Sequence, residues 1–323
     1  MTPGGAVALE EHGRLTQRAA LASVTVALVL LVLKAVASWQ TGSVAMLGSL
    51  ADTTLDLVAS LVTLMGVRWA AMPADHDHRF GHGKAEALAA LFQVTLIAMA
   101  AMGLAWESIR RLGDAHATQA PETGIGVSLI AIALSFVLVL YQKRVIAATG
   151  SLAIGTDNLH YQSDFYLNLS VIVGLVLDQY VGLKGVDPFF GLGIALWLGW
   201  GAWTSAGNAV DHLMDKEWSL EERQRFLEVA SHHPLLRGIH DMRTRSSGAA
   251  RFVQFHASVD PDMTVREAHR VMDEIEAALG REFPGVEILI HPDPYGHEGD
   301  GDNPLRAAEA HEVLEKEAGR DEE

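Results

Sequence analysis

Two pairs of ionisable residues stand in otherwise apolar stretches of this sequence. "SLADTTLDLVASL" carries Asp52 and Asp56, and "TDNLHYQSDF" carries His160 and Asp164. The members of each pair are four residues apart, so on a helix they share one face. Ionisable groups in an apolar helix are expensive unless something compensates them. The two faces together offer three carboxylates and one imidazole, an oxygen and nitrogen set sufficient for a tetrahedral divalent cation. A dication would offset most of the charge that makes these residues costly alone. Either pair by itself reads equally well as interhelical hydrogen bonding or as a loop mistaken for membrane. Two pairs with matched spacing and depth favour metal or proton handling.

Such pairs need apolar helices to carry them. The chain has 323 residues, 49 % of them hydrophobic, and its mean hydropathy of +0.18 is high for a soluble protein. Six apolar segments are each about long enough to cross a bilayer: Ala19 to Trp39, Val44 to Trp69, Ala85 to Trp106, Gly124 to Tyr141, Leu152 to Tyr180 and Pro188 to Val210. Arg14, Arg18, Arg68, Arg79, Lys84, Lys143 and Arg144 flank them on one side, and Arg110, Arg111 and Lys184 on the other. The bias of basic loops inward then places both termini in the cytoplasm. The polar start and the length of the first apolar run argue against a cleaved signal peptide.

The charge balance changes along the chain. Up to residue 210 there are 14 Asp+Glu against 11 Lys+Arg; from Asp211 onward there are 26 against 13. This predicts a transmembrane domain over 1–210, a cytoplasmic domain over 211–295 and an acidic tail over 296–323, disordered apart from a short helix near Pro304 to Lys316. The acidity argues against nucleic acid, which needs a basic footprint. In the second domain, "SLEERQRFLEVASHH" opens with Ser219 and Glu222 in capping-box spacing and reads as helix. "IHDMRTRSS" and "RFVQFHASVD" alternate as strands around a turn at Ser247-Gly248. "TVREAHRVMDEIEAALGREF" has helical periodicity, and "VEILIHPD" is a last strand. The order αββαβ is that of a small α+β domain, ferredoxin-like or metallochaperone-like.

With no cysteine in the chain, thiolate metal sites are excluded and any metal must be held by His, Asp and Glu. The loop "PADHDHRFGHGKAE" gathers Asp75, His76, Asp77, His78 and His82, a metal-competent cluster, although a solvated His-rich turn looks the same. In the second domain, His240 and His256 fall on neighbouring strands, and His291 and Asp293 alternate on a third, so the last two share a face. His232, His233, His297 and His311 read as surface residues.

"ADTTLD", "PADHDHRFGHGKAE", "DNLHYQSD" and "HDMRTR", in this order, resemble the signature of the cation diffusion facilitators, and most closely their bacterial zinc/proton antiporter branch, some of it labelled as ferrous-iron efflux pumps. The likeness runs from about Arg14 to Pro294. It implies a six-helix dimer in the inner membrane that exports divalent metal in exchange for protons. It implies a loop site of Asp75, His78 and His82, with His76 or Asp77 as substitutes. It implies a two-metal site at the dimer interface built from His240, His256, His269, His291 and Asp293; Pro292, where relatives often carry a polar residue, departs from the pattern. It further implies a charge interlock between Lys84 and Asp215.

The combined reading is a homodimeric exporter of Zn²⁺ driven by proton entry. Asp52, Asp56, His160 and Asp164 form its transport site. His and carboxylate ligands also admit Fe²⁺, Cd²⁺, Mn²⁺ and Co²⁺. A membrane metalloenzyme would need an open metal position and a general base, and no HExxH or GxSxG motif occurs. A membrane metal sensor would not need a site in mid-membrane.

Overall fold

The structure is a computed structural model. It describes residues 3–41, 44–112, 122–177, 187–232, 234–235 and 238–296, together with Ala310, Leu314, Glu315 and Gly319. The chain divides into two compact units: His12–Leu213, and a second comprising the chain from Met214 onward with the first turns of the N-terminal helix.

The first unit is all helix: α1 (Pro3–Thr41), α2 (Val44–Ala70), α3 (Ala85–Arg111), α4 (Glu122–Thr149), α5 (Leu152–Val176) and α6 (Asp187–Leu213). The six expected segments are present as helices, with shifted ends. The helix of the first apolar segment starts at Pro3, not Ala19, because the polar N-terminal residues continue it; its apolar stretch spans Leu9–Gln40. Among the described residues four helices meet both the length and the hydropathy of a membrane span: Leu9–Gln40, Leu47–Ala70, Ala85–Leu112 and Gly126–Thr149. α5 and α6 are long enough but are not among these four. α5 carries Asp157, Asn158, His160, Gln162, Asp164 and Asn168, while α6 is rich in glycine and tryptophan. Large apolar side chains such as Leu28, Val32, Leu55, Phe136 and Leu196 point outward, as they must where hydrocarbon is the solvent.

Small residues let these helices approach closely. At Gly66 a Cβ would collide with Ala89 of α3, and at Gly191 with Ser108. Ala19, Ala20, Leu64, Val67, Ala89, Val145, Ala153 and Ile154 form a core joining α1 to α5.

The second unit runs α7 (Leu220–Ser231), β1 (Gly238–Ser247), β2 (Ala250–Val259), α8 (Val265–Glu282), β3 (Val286–Pro294), the αββαβ order read from the sequence. The strands lie in the order β1-β2-β3; β1 and β2 are antiparallel, and β3 returns parallel to β2 after the α8 crossover. Ser219 caps α7 by accepting from the Glu222 N–H. Thr264 and Glu267 make a full capping box on α8. Ala268, Val271, Met272, Ile275 and Leu279 repeat at helical spacing along α8 and meet Phe226, Leu227, Val253 and Phe255 in one core. Ala310 and Leu314 are also buried in that core. Both lie in the stretch from Pro304 to Lys316 where a short helix is expected within the acidic tail, four residues apart and so on one helical face.

Candidate functional site

The two halves of the membrane tetrad come from α2 and α5. His160 Nε2 lies 3.2 Å from Asp56 Oδ1 and 3.6 Å from Asp164 Oδ2. All three side chains are less than a third exposed, and their ligand atoms lie close enough to hold one metal ion. His160 Nε2 is buried without a well-aligned hydrogen bond among the described residues. An imidazole nitrogen flanked by two carboxylates and left without such a bond is a ligand set suited to a cation. Asp52 is not part of the trio. It sits one turn earlier on α2, exposed, and lines a cavity of about 380 Å³ with Ser49, Glu107, Arg111 and Asn168.

Sequence reasoning passed over several residues around this site. Lys34 of α1 reaches α2, where its Nζ donates to Thr53 Oγ1 at 2.6 Å and to the Ser49 carbonyl at 3.4 Å. Its ammonium is within electrostatic range of Asp52 and Asp164. A lone lysine in an apolar run was a signal of the same kind as the aspartates. Asp157 and Glu86 are two further buried acids; Glu86 accepts from Ser151 Oγ at 3.0 Å.

The loop between α2 and α3 brings Asp75, His78 and His82 together. Asp75 stands 3.3 Å from His78 Nδ1 and 3.2 Å from His82 Nε2. The backbone N–H of His78 donates to its carboxylate at 2.6 Å and that of Asp77 at 2.9 Å; the His78 bond is the chief cause holding the carboxyl below the ordinary aspartate range. His82 is buried, and its Nδ1 faces the Pro73 carbonyl at 3.2 Å, which leaves Nε2 to face Asp75 as a ligand would. His76 and Asp77 contribute no ligand atom to this group.

In the second unit the register does the gathering. His240 pairs with His256 across β1 and β2, and His256 with His291 across β2 and β3, so three histidines stand in one row across the sheet. Asp293, two residues along β3, shares the face of His291. Its Oδ2 is 3.1 Å from His240 Nε2 and 2.7 Å from His256 Nδ1, and its Oδ1 is 3.3 Å from His291 Nε2. Pro292 faces the other way by the same alternation. Asp241 joins the edge of the cluster, 3.8 Å from His256 Nε2; it lies in a register shift with φ of 46°, which alternation along a regular strand does not foresee.

His269 is not brought to this cluster. It lies on the outer face of α8, about three-quarters exposed and 3.9 Å from Asp273, because Ala268, Val271 and Met272 claim the inner face. Lys84 Nζ donates to the Leu213 carbonyl at 3.1 Å, and Asp215 stands 3.9 Å from Arg245. His232 is exposed and turned back on Glu228 of its own helix; His233, His297 and His311 lie outside the described residues.

Burial alone would raise the Asp293 carboxyl, but the hydrogen bond from His256 and the charges of His256, His291 and His240 carry it below its ordinary value. A carboxyl held lower in the folded than in the unfolded chain stabilises the fold above its unfolded value of about 3.9, and that contribution is lost as pH falls through the folded value. Asp293→Asn is therefore expected to lower the thermal unfolding midpoint of the metal-stripped protein at pH 7. The gap should shrink once the pH drops below about 4. A gap that widened on acidification would contradict the arrangement.

The family described as the cation efflux transmembrane domain matches residues 20–214, and that described as the cation efflux protein cytoplasmic domain matches residues 218–295. The cation-efflux pump FieF of Cronobacter sakazakii is 40 % identical over 284 residues, covering 88 % of this chain and 94 % of that one. FieF of Pectobacterium atrosepticum is 42 % identical over 283 residues, with 88 % and 94 % covered. Among solved structures, the Zn form of CzrB is 37 % identical, covers 27 % of this chain and 99 % of its own, and has a TM-score of 0.24. A helical membrane domain followed by a small cytoplasmic α+β domain is the architecture of a metal-efflux transporter, not of an enzyme. The chain belongs to the cation efflux family, the cation diffusion facilitators.

Proposed function

We propose that this protein is a homodimeric exporter of the bacterial inner membrane, with both termini cytoplasmic, that exchanges cytoplasmic Zn²⁺ for protons by alternating access. The observation that carries the reading is the trio Asp56, His160 and Asp164, held within ligand distance inside the membrane domain, with Asp52 one turn away to complete the shell. Two carboxylates and an imidazole suit Zn²⁺, and the same set admits Fe²⁺, Cd²⁺, Mn²⁺ and Co²⁺. Uptake of zinc into proteoliposomes, with each of the other ions as competitor, tests function and preference together. A protein that moved none of these ions would overturn the proposal.

The loop site of Asp75, His78 and His82 and the cytoplasmic cluster of His240, His256, His291 and Asp293 are proposed to bind metal without carrying it across. The cytoplasmic cluster regulates, tightening the dimer when loaded. His269, remote from the cluster of its own chain, joins such a site only from a partner copy. The Lys84–Asp215 interlock is part of the same dimer proposal. His240→Ala or His291→Ala is then expected to weaken zinc binding at the cytoplasmic cluster by more than about tenfold, as loss of a ligand should. Transport should fall less completely than on loss of a membrane ligand. Calorimetry with undiminished zinc binding in both variants would refute the assignment.

A further inference from the structure

Asp157 lies one turn before His160 on α5 and is fully buried. It is not part of the candidate metal group. Its oxygens are occupied instead by donors from three other helices. Ser23 Oγ of α1 donates to Oδ2 at 2.5 Å, Gln142 Nε2 of α4 to Oδ2 at 2.6 Å, and Gln93 Nε2 of α3 to Oδ1 at 2.9 Å. The partners brace one another. Gln142 also donates to Ser23 Oγ at 2.9 Å and accepts from Asn158 Nδ2 at 3.1 Å. Tyr161, the next turn of α5, donates to the Ser23 carbonyl and meets Ser60 Oγ of α2, both at 2.9 Å. Its ring packs edge-on against His160, with centroids 5.4 Å apart.

A carboxylate removed from water, in an otherwise apolar bundle, is an expensive way to pack helices, and neutral side chains would serve for packing alone. What the charge adds is intolerance of displacement. A shift of about 1 Å in α3 would take its 2.9 Å hydrogen bond out of range, and the same shift in α1 or α4 would stretch theirs to the limit, leaving a desolvated charge short of a partner. We propose that Asp157 is a positioning residue for transport: its carboxylate ties α5 to α1, α3 and α4, so that the rate at which the helix carrying His160 and Asp164 shifts, and not its hold on zinc, depends on this network. This rests on the transport site proposed above. It differs from that reading in making Asp157 a residue that never touches the metal.

The test is exchange of the carboxylate and amide across the α4–α5 contact in the full-length protein, reconstituted in proteoliposomes. Asp157→Asn sets amide donors against one another, and Gln142→Glu sets two carboxylates together. Each is expected to lower the maximal zinc flux by about tenfold or more, with KM within about twofold and the number of bound zinc ions unchanged, the signature of a group that acts on turnover and not on binding. The double variant Asp157→Asn/Gln142→Glu restores one carboxylate facing one amide and is expected to recover most of the flux, even where a single variant fails to fold. Gln93→Leu, which removes one donor and leaves the other two, should lower the flux severalfold at constant KM. Wild-type flux in Asp157→Asn or in Gln93→Leu, a double variant no better than the worse single, or loss of a bound zinc in Asp157→Asn would each overturn the proposal. Asp164→Ala serves as the separate control: zinc flux that survived it would sink the transport site itself, whatever Asp157 does.

Discussion

Asp164→Ala is expected to stop zinc efflux while leaving the protein folded. Asp164 faces His160 Nε2 at 3.6 Å from within the same helix, and Asp56 faces the same nitrogen at 3.2 Å from α2. Removing either carboxylate leaves a cation with an imidazole, one acid of the trio and Asp52 a turn away, too few well-placed donors to replace its hydration shell in a low-dielectric span. Loss of residues that merely support a metal ligand commonly costs 10–100-fold, so loss of the ligand itself should lower flux by more than about 100-fold. The fold should not suffer, because an apolar side chain is cheaper than a charge at this depth, and a small gain in thermal stability of the metal-free protein is expected. Asp52→Ala is expected to act differently. Asp52 is exposed on the cavity wall outside the trio, so three ligands remain and the first effect should be a raised KM for zinc. Near-normal zinc flux through vesicles bearing Asp164→Ala would show the site to be wrong.

The residues that made this site legible are those whose cost in an apolar helix is plain from composition. Asp56, His160 and Asp164 announce themselves because nothing in a lipid-facing helix explains them, and the spacing of four puts His160 and Asp164 on one face. Asp157 belongs to the same stretch, yet its partners Ser23, Gln93 and Gln142 are ordinary polar residues far away in the chain. Only the packing of α1, α3 and α4 around α5 makes them a set. Lys34 was legible in principle, as a lone cation in an apolar run, but its meaning depends on which residues of α2 it reaches. In the cytoplasmic domain the alternation of His291 and Asp293 was readable along one strand. The row formed with His240 and His256 depends on the pairing of three strands, which alternation alone does not fix. The orientation of His269 was hidden for a related reason. Its helix was correctly expected, but the core face of α8 is set by the sheet it packs on, and that face turns His269 outward. Ala310 and Leu314 fall in the one stretch of the acidic tail expected to be helical; that their shared face is buried depends on the core it meets, which composition does not show.

Zinc efflux is expected to require a proton gradient and to move protons inward as zinc leaves. The ligands proposed for the cation are all groups that also bind protons. Metal needs the imidazole neutral and the carboxylates ionised, so binding releases protons and protonation releases metal. Lys34, tied to Thr53 and the Ser49 carbonyl on α2, adds a fixed positive charge near the same carboxylates and opposes retention of a cation once protons arrive. Facing the more acidic exterior, the site should take up protons and let zinc go; facing the cytoplasm, it should lose them and reload. Exchange of protons for a dication leaves little net charge to move, so transport should be electroneutral or weakly electrogenic. A protonophore that collapses the gradient should suppress it. His160→Asp converts the site to oxygen ligands alone, which suit harder cations, and it replaces the one imidazole by a group that titrates in a lower range. Its preference should move from Zn²⁺ toward Mn²⁺, and its pH optimum should fall. Zinc flux and internal pH followed together in sealed vesicles decide the matter. Flux that continued unchanged with no pH gradient, and carried no protons, would make the protein a facilitated path for metal and end the antiport reading.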